Sequence, residues 1–183
     1  MAVGMSFIVG AAPPASASTP ATLQATVVPG PDSELCQHHQ IDYRGHDESN
    51  NVTIAVNDAW KDYSDEAYCP IPEQAMAITD SGATIAAVGP SCTAALAVGE
   101  CDVELLDKVV VNTAAGDDTI RIGNLPSFAV SEIWAGAGND AIRTLNNVKD
   151  IVHCGDGHDV VIADSTDEIS SDCEVVQFTD SAP

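Results

Sequence analysis

Three short segments of this chain carry glycine and aspartate at one common spacing: residues 113–121 (TAAGDDTIR), 135–143 (AGAGNDAIR) and 154–162 (CGDGHDVVI). Each has glycine in the fourth place, aspartate in the sixth and an aliphatic residue in the eighth. These are Gly116, Asp118 and Ile120, then Gly138, Asp140 and Ile142, then Gly157, Asp159 and Val161. The chemistry open to such a pattern is that of hard oxygen ligands. A carboxylate at the end of a tight turn can accept backbone N–H groups, as turn aspartates do. It can also hold a divalent cation together with turn carbonyls, and calcium takes six to eight oxygens at about 2.3–2.6 Å. Glycine suits the turn because it adopts positive φ and lets another backbone come close.

Such turns need strands to hold them. Weaker copies lie between the three good ones: Ser131 with Ile133, Asp150 with Val152, and Asp167 with Ile169. The aliphatic positions therefore fall at 120, 133, 142, 152, 161 and 169, a nine-residue period with slips. A period of this kind reads as a glycine-bearing turn followed by a short strand. Two units make one coil of a flattened right-handed solenoid, in which successive strands pair in parallel and the eighth-place aliphatic points inward. The good turns occupy alternate units, so Asp118, Asp140 and Asp159 stack on one side, and Ser131, Asp150 and Asp167 fall on the other.

Upstream of the repeats the texture is also β-type. Residues 34–112 hold short apolar runs such as NNVTIAV, AMAITD and KVVVN, separated by turn residues, and no stretch sustains helical spacing. The expected class is all-β, with this irregular portion continuous with a solenoid over 113–178. Residues 56–74 (VNDAWKDYSDEAYCPIPEQ) read as a long surface loop, and 18–33, rich in Pro, Ser, Thr and Ala, as a flexible tether. Residues 1–17 combine an apolar run from Val3 to Ala12 with the small residues Ala15-Ser16-Ala17, the pattern of a secretory signal peptide. No later run is long enough to span a bilayer as a helix.

Composition narrows the classes of partner. The chain has 28 Asp and Glu against 6 Lys and Arg, a formal charge of −22. That excess disfavours nucleic acid and anionic membranes; it reads as a solubilising surface or partial disorder, or as charge that cations neutralise, and composition alone does not choose. The six cysteines, Cys36, Cys69, Cys92, Cys101, Cys154 and Cys173, form an even set that suggests disulfides in an exported chain. The simplest scheme is local, Cys36–Cys69, Cys92–Cys101 and Cys154–Cys173, although spacing alone selects no connectivity. No catalytic motif occurs, and the chain reads as a monomer without enzymatic activity. His38, His39 and His46, near Cys36, match no structural zinc spacing and read as a solvated loop. His158 reads as an outward turn residue, and Trp60 and Trp134 as packing or loop residues before sugar-stacking ones. Asn51-Val52-Thr53 is a sequon that matters only in a eukaryotic secretory route.

The spacing of the three glycine and aspartate segments resembles the nonapeptide repeat G-G-x-G-x-D-x-U-x of haemolysin-type, or RTX, calcium-binding proteins. The resemblance covers about residues 113–173. It extends to the portion that precedes such repeats in secreted bacterial members, and to the closing segment HCGDGHDVVIADSTDEISSDCE, where a cysteine pair flanks the last coil. The first glycines of the motif are replaced by Thr113-Ala114, Ala135 and Cys154. The resemblance implies a parallel β-roll with calcium between same-side turns. Carried onto this chain, the ligands are the carboxylates of Asp118, Asp140 and Asp159 with carbonyls of Gly116, Gly138, Gly157 and their neighbours. The insertion IGNLPSF makes the site between Asp140 and Asp159 the better formed. The implied function is a secreted, extracellular, calcium-binding structural protein. The alternatives are an adhesin-like or carbohydrate-binding module on a metal-free solenoid, and an enzyme with its site in 34–112.

Overall fold

A computed structural model of the chain describes residues 19–29, 37–61, 73–103 and 105–179. They form fifteen strands: β1 (Ala21–Val28), β2 (His38–Arg44), β3 (Asn51–Lys61), β4 (Glu73–Asp80), β5 (Ile85–Val88), β6 (Cys92–Ala95), β7 (Val98–Val103), β8 (Leu105–Asn112), β9 (Thr119–Ile122), β10 (Val130–Ala137), β11 (Ala141–Arg143), β12 (Asp150–Asp156), β13 (Val160–Ala163), β14 (Glu168–Ile169) and β15 (Val175–Phe178). There is no helix among the described residues, and so none long and apolar enough to cross a membrane.

Two open sheets result. One runs β14-β12-β10-β8-β2-β1-β5, the other β15-β13-β11-β9-β3-β4-β7-β6. From β8 onward the chain alternates strictly between them, and from β10 onward each strand pairs in parallel with the one two places earlier in sequence. Strands β2 and β3 supply the first coil, because β8 and β9 pair in parallel with them. Alternation of apolar and polar residues sets which side faces in. In β10, Ser131, Ile133 and Ala135 are buried while Glu132 and Trp134 face out.

The core lies between the sheets. Ile120, Ile142 and Val161 meet Ile133 and Val152 there, as the eighth-place reading expects, and Ile169 packs against the edge. At the N-terminal end the filling side chains are larger: Leu23, Ile41, Tyr43, Ile54, Met76 and Ile78. Tyr43 donates its hydroxyl to Asp80, whose other oxygen accepts the N–H groups of Asn51 and Gly82 at 2.9 Å each. Burial, reinforced by Asp80, holds the Tyr43 phenol well above its ordinary pKa. This bond ties the two sheets together where the coils begin.

Parallel pairing does not extend through the irregular portion upstream of the repeats. β1–β2, β3–β4, β4–β7 and β6–β7 pair antiparallel, so both sheets are mixed. The excursion β4–β7 extends one sheet beyond β3, and β1 with β5 extends the other, so the first coil is covered at its outer edge. The tether reading of 18–33 is overturned in part. Ala21–Val28 forms β1, because Ala21 and Leu23 alternate inward and fill the core beside Ile41 and Tyr43. The loop expected at 56–74 is shortened from both ends, since β3 reaches Lys61 and β4 starts at Glu73. The signal segment 1–17, the remainder of that loop, Cys36 and Cys69 lie outside the described residues.

Two of the expected disulfides are present. Cys92–Cys101 joins directly opposed residues of β6 and β7. Cys154–Cys173 joins β12 to the turn before β15 and closes the last coil. Disulfides of this kind fit an oxidising environment.

Candidate functional site: the stacked acidic turns

Strand register carries the sixth-place residues into a file. The partners Asn51, Thr119, Ala141, Val160 and Val175 follow one another across β3, β9, β11, β13 and β15. The residues just before them are Asn50, Asp118, Asp140, Asp159 and Glu174. A regular ladder joins these five. The Asn50 N–H donates to Asp118 Oδ1 at 2.6 Å, Asp118 N–H to Asp140 Oδ1 at 2.8 Å, Asp140 N–H to Asp159 Oδ1 at 2.8 Å, and Asp159 N–H to Glu174 Oε2 at 2.9 Å. Each carboxylate thus satisfies a backbone donor of the coil before it. Such a donor, if buried and unpaired, costs about 1–3 kcal/mol.

The structure brings Asp118, Asp140 and Asp159 together as the spacing predicts. The insertion between the first two does not disturb the file. Residues 123–129 bulge at the opposite end of the coil, where Gly123 donates to the Ile54 carbonyl at 2.7 Å and Leu125 and Ala129 enter the core.

Asn50 and Glu174, the ends of the file, escape the glycine and aspartate pattern. The legible signal was the polar-x-aliphatic triplet: Asn50-Asn51-Val52 and Glu174-Val175-Val176 repeat the form of Asp118-Thr119-Ile120. Asn50 closes the file by donating its amide to the carbonyls of His46, Glu48 and Thr113.

The turns stack because glycines let them. Gly116, Gly138 and Gly157 have φ of 118°, 146° and 148°. A Cβ on Gly138 would stand 2.0 Å from the Gly116 carbonyl oxygen. A second column, Ala114, Gly136 and Gly155, repeats this two residues earlier, all at positive φ. Side chains pair along the outer rim as well: Asp117 accepts from the Asn139 N–H at 2.8 Å, and Asn139 from the His158 N–H at 3.2 Å.

Half of each carboxylate in the file is left over. Asp118, Asp140 and Asp159 are buried, and the Oδ2 atom of each has no hydrogen-bond partner. Burial raises the pKa of Asp118. It lifts Asp140 from 3.8 to about 6, with the charges of Asp118 and Asp159 adding to the effect. Anionic oxygens of this kind are the ligands that hard cations take. Among the described residues no three His, Cys, Asp or Glu side chains form a metal-holding group, so such an ion would rely on backbone carbonyls for most of its shell. The carbonyls of Ala137 and Asp156 already accept the N–H groups of Gly116 and Gly138 at 2.8 Å. A carbonyl has a second lone pair to offer.

The other side of the solenoid carries a different polar column. Ser131 donates to Asp150, and the Asp150 N–H donates to Asp167 Oδ1 at 3.0 Å. Asp167 Oδ2 accepts from Thr144 and from the Asp164 N–H. Burial, with repulsion from Asp167 and Asp164, raises Asp150 from 3.8 to about 7 despite the hydrogen bonds of Ser131 and Asn146. A carboxyl group with a raised folded-state pKa favours folding below its unfolded value, and the advantage disappears as pH rises through the folded one. Stability in calcium-free buffer is therefore expected to fall between about pH 4 and pH 7. Asp118, Asp140 and Asp167 act in the same direction. Asp164 and Asp172, held low by hydrogen bonds that outweigh their burial, act only below that window. Urea unfolding across the range measures the slope, and Asp150→Asn should flatten it; an unchanged slope would refute the assignment to Asp150.

The remaining sequence candidates do not converge. His38, expected in a solvated loop, is buried on β2 and holds both oxygens of Asp107 at 2.8 Å. His39 is bound to the Gln37 carbonyl, and His46 accepts the Glu48 N–H. All three are buried, His38 and His39 at the register shift that opens β2 and His46 in the turn after it. Comparison with protein-family models, with curated proteins and with solved structures returned no match.

Proposed function

We propose that this chain is a secreted structural protein whose solenoid is a right-handed β-roll of the RTX kind, with calcium held between the turns of Asp118, Asp140 and Asp159. One observation carries the reading: three buried carboxylate oxygens without partners occupy one edge in register. Asp118, Asp140 and Asp159 would supply Oδ2, and the carbonyls of Gly116, Gly138 and Gly157 the neutral oxygens. The ion would supply positive charge to a buried row of carboxylates in which burial raises the pKa of Asp118 and Asp140. The chain's charge of −22 favours uptake of the ion over long range. The two disulfides support export.

Extracellular calcium modules bind at about 10⁻⁴–10⁻³ M. At tenfold excess over Kd one site adds about 1.4 kcal/mol, which raises Tm by roughly 3–6 °C for a domain of this size. Calorimetric titration at neutral pH should show calcium uptake by the intact chain. Asp140→Ala should lose most of it, because Asp140 borders both turn pairs. Equal uptake by both proteins would remove the ligand assignment.

A second reading rests on its own observation. The Oδ1 ladder is complete without metal, since every file member from Asn50 to Asp159 has its N–H answered. If the wild type takes up no calcium, the function is that of a metal-free acidic scaffold.

A further inference from the structure

The outward face of the β2–β8–β10–β12 sheet differs from the rest of the molecule. Trp134 stands there with 43% of its surface exposed. His153, on the neighbouring strand, stacks on the indole with ring centres 3.9 Å apart and planes 14° from parallel. The indole N–H donates to Glu132 at 3.0 Å. These contacts fix the ring, and the face turned away from His153 looks toward β8, where the shorter Asn112 holds the register position, with Arg44 one strand further on. Planar polar groups and an indole thus share one row: Arg44, Asn112, Trp134 and His153.

The next row brings Asp42, Val110, Glu132 and Ile151 alongside. Charges on this face are matched. Lys108 pairs with Glu132, Lys149 with Glu168, and Asp42 lies two residues from Arg44 on β2. In a chain with only 6 basic residues, three of them serve this face. Bonding capacity remains here as well. Asn112 Oδ1 is engaged by the Ala114 N–H, which leaves its amide hydrogens, and Asp42 Oδ1 is engaged by Gln40 at 2.9 Å, which leaves Oδ2.

We infer that this face docks a neutral saccharide, with the C–H face of a sugar ring against the side of the Trp134 indole turned away from His153 and its hydroxyls on Asn112, Arg44 and Asp42. An immobilised aromatic ring with polar groups around it offers apolar contact at small ordering cost. The paired charges leave this face without a local excess of either sign to select an ion, and a row of amide, guanidinium and carboxylate groups matches vicinal hydroxyls, which both donate and accept.

Affinity gel electrophoresis of the full chain tests this, with hydroxyethylcellulose, laminarin, galactomannan and dextran as neutral probes, and polygalacturonate and chitosan as charged ones. Chelator in the gel keeps calcium out, so failure here leaves the calcium reading untouched. At least one neutral polymer should retard the protein. Trp134→Ala should weaken that retardation about tenfold or more, and Trp134→Phe should restore part of it. Thermal melts establish that both variants fold. Retardation by none of the neutral polymers, by charged polymers only, or equally in wild type and folded Trp134→Ala would overturn the inference.

Discussion

Gly157→Ala is expected to destabilise the chain by about 4 kcal/mol, through positive-φ strain and a backbone collision together. The added Cβ would stand 1.7 Å from the carbonyl oxygen of Gly138, on a residue with φ of 148°. The obstacle is backbone, and it cannot swing aside as a side chain can. Gly138 is fixed by its own N–H bond to the Asp156 carbonyl and lies against Gly116 in turn. Relief requires the β10–β11 and β12–β13 coils to part near the turn, which would break the bond from Asp140 to Asp159. Gly89→Ala is the control. Its φ is 93°, but nothing lies within 4 Å of the added carbon, so only the strain of about 1–2 kcal/mol applies. Urea unfolding of both variants separates the terms, and equal losses would mean that the turns are not in contact as described.

Removing the Cys154–Cys173 bridge with serine at both positions should cost roughly 3 kcal/mol, as the chain-entropy model gives for a separation of 19 residues. The effect should be local first. β14 has two residues and β15 four, and each has a strand on one side only. Cys173 is buried against the end of the core, and Asp172 beside it accepts the N–H groups of Cys154 and Gly155. Amide exchange in 168–178 should accelerate well before that of β8 to β12. The bridge Cys92–Cys101 spans 9 residues between strands that already face each other, so its removal should cost less, near 2.5 kcal/mol. A uniform rise in exchange across the chain would contradict this division.

The repeat half was legible because its period is mechanical. A fixed count of residues per turn and strand puts Ile120, Ile142 and Val161 in the core and Asp118, Asp140 and Asp159 in a file, and register does the rest. The N-terminal half gave class without topology. Strands such as NNVTIAV and KVVVN announce themselves by composition, but nothing local states that β2 waits for β8 across the whole β4–β7 excursion. Ala21–Val28 departs from the tether expected because Ala, Thr and Gln suit a tether as well as a strand, and only Leu23 marks an inward face. His38 was misread because its partner, Asp107, lies far away in sequence. The ladder's direction was not legible at all, since spacing places carboxylates side by side without saying which oxygen meets which N–H.

That direction has a consequence at each coil. In each step the carboxylate belongs to the later coil and the N–H to the earlier one. Every coil without its successor therefore leaves the amide of its own rung unanswered, together with turn amides such as those of Gly116 and Gly138. The file ends at Glu174, next to the cysteine bridged to Cys154, so the last rung and the covalent closure lie side by side in sequence.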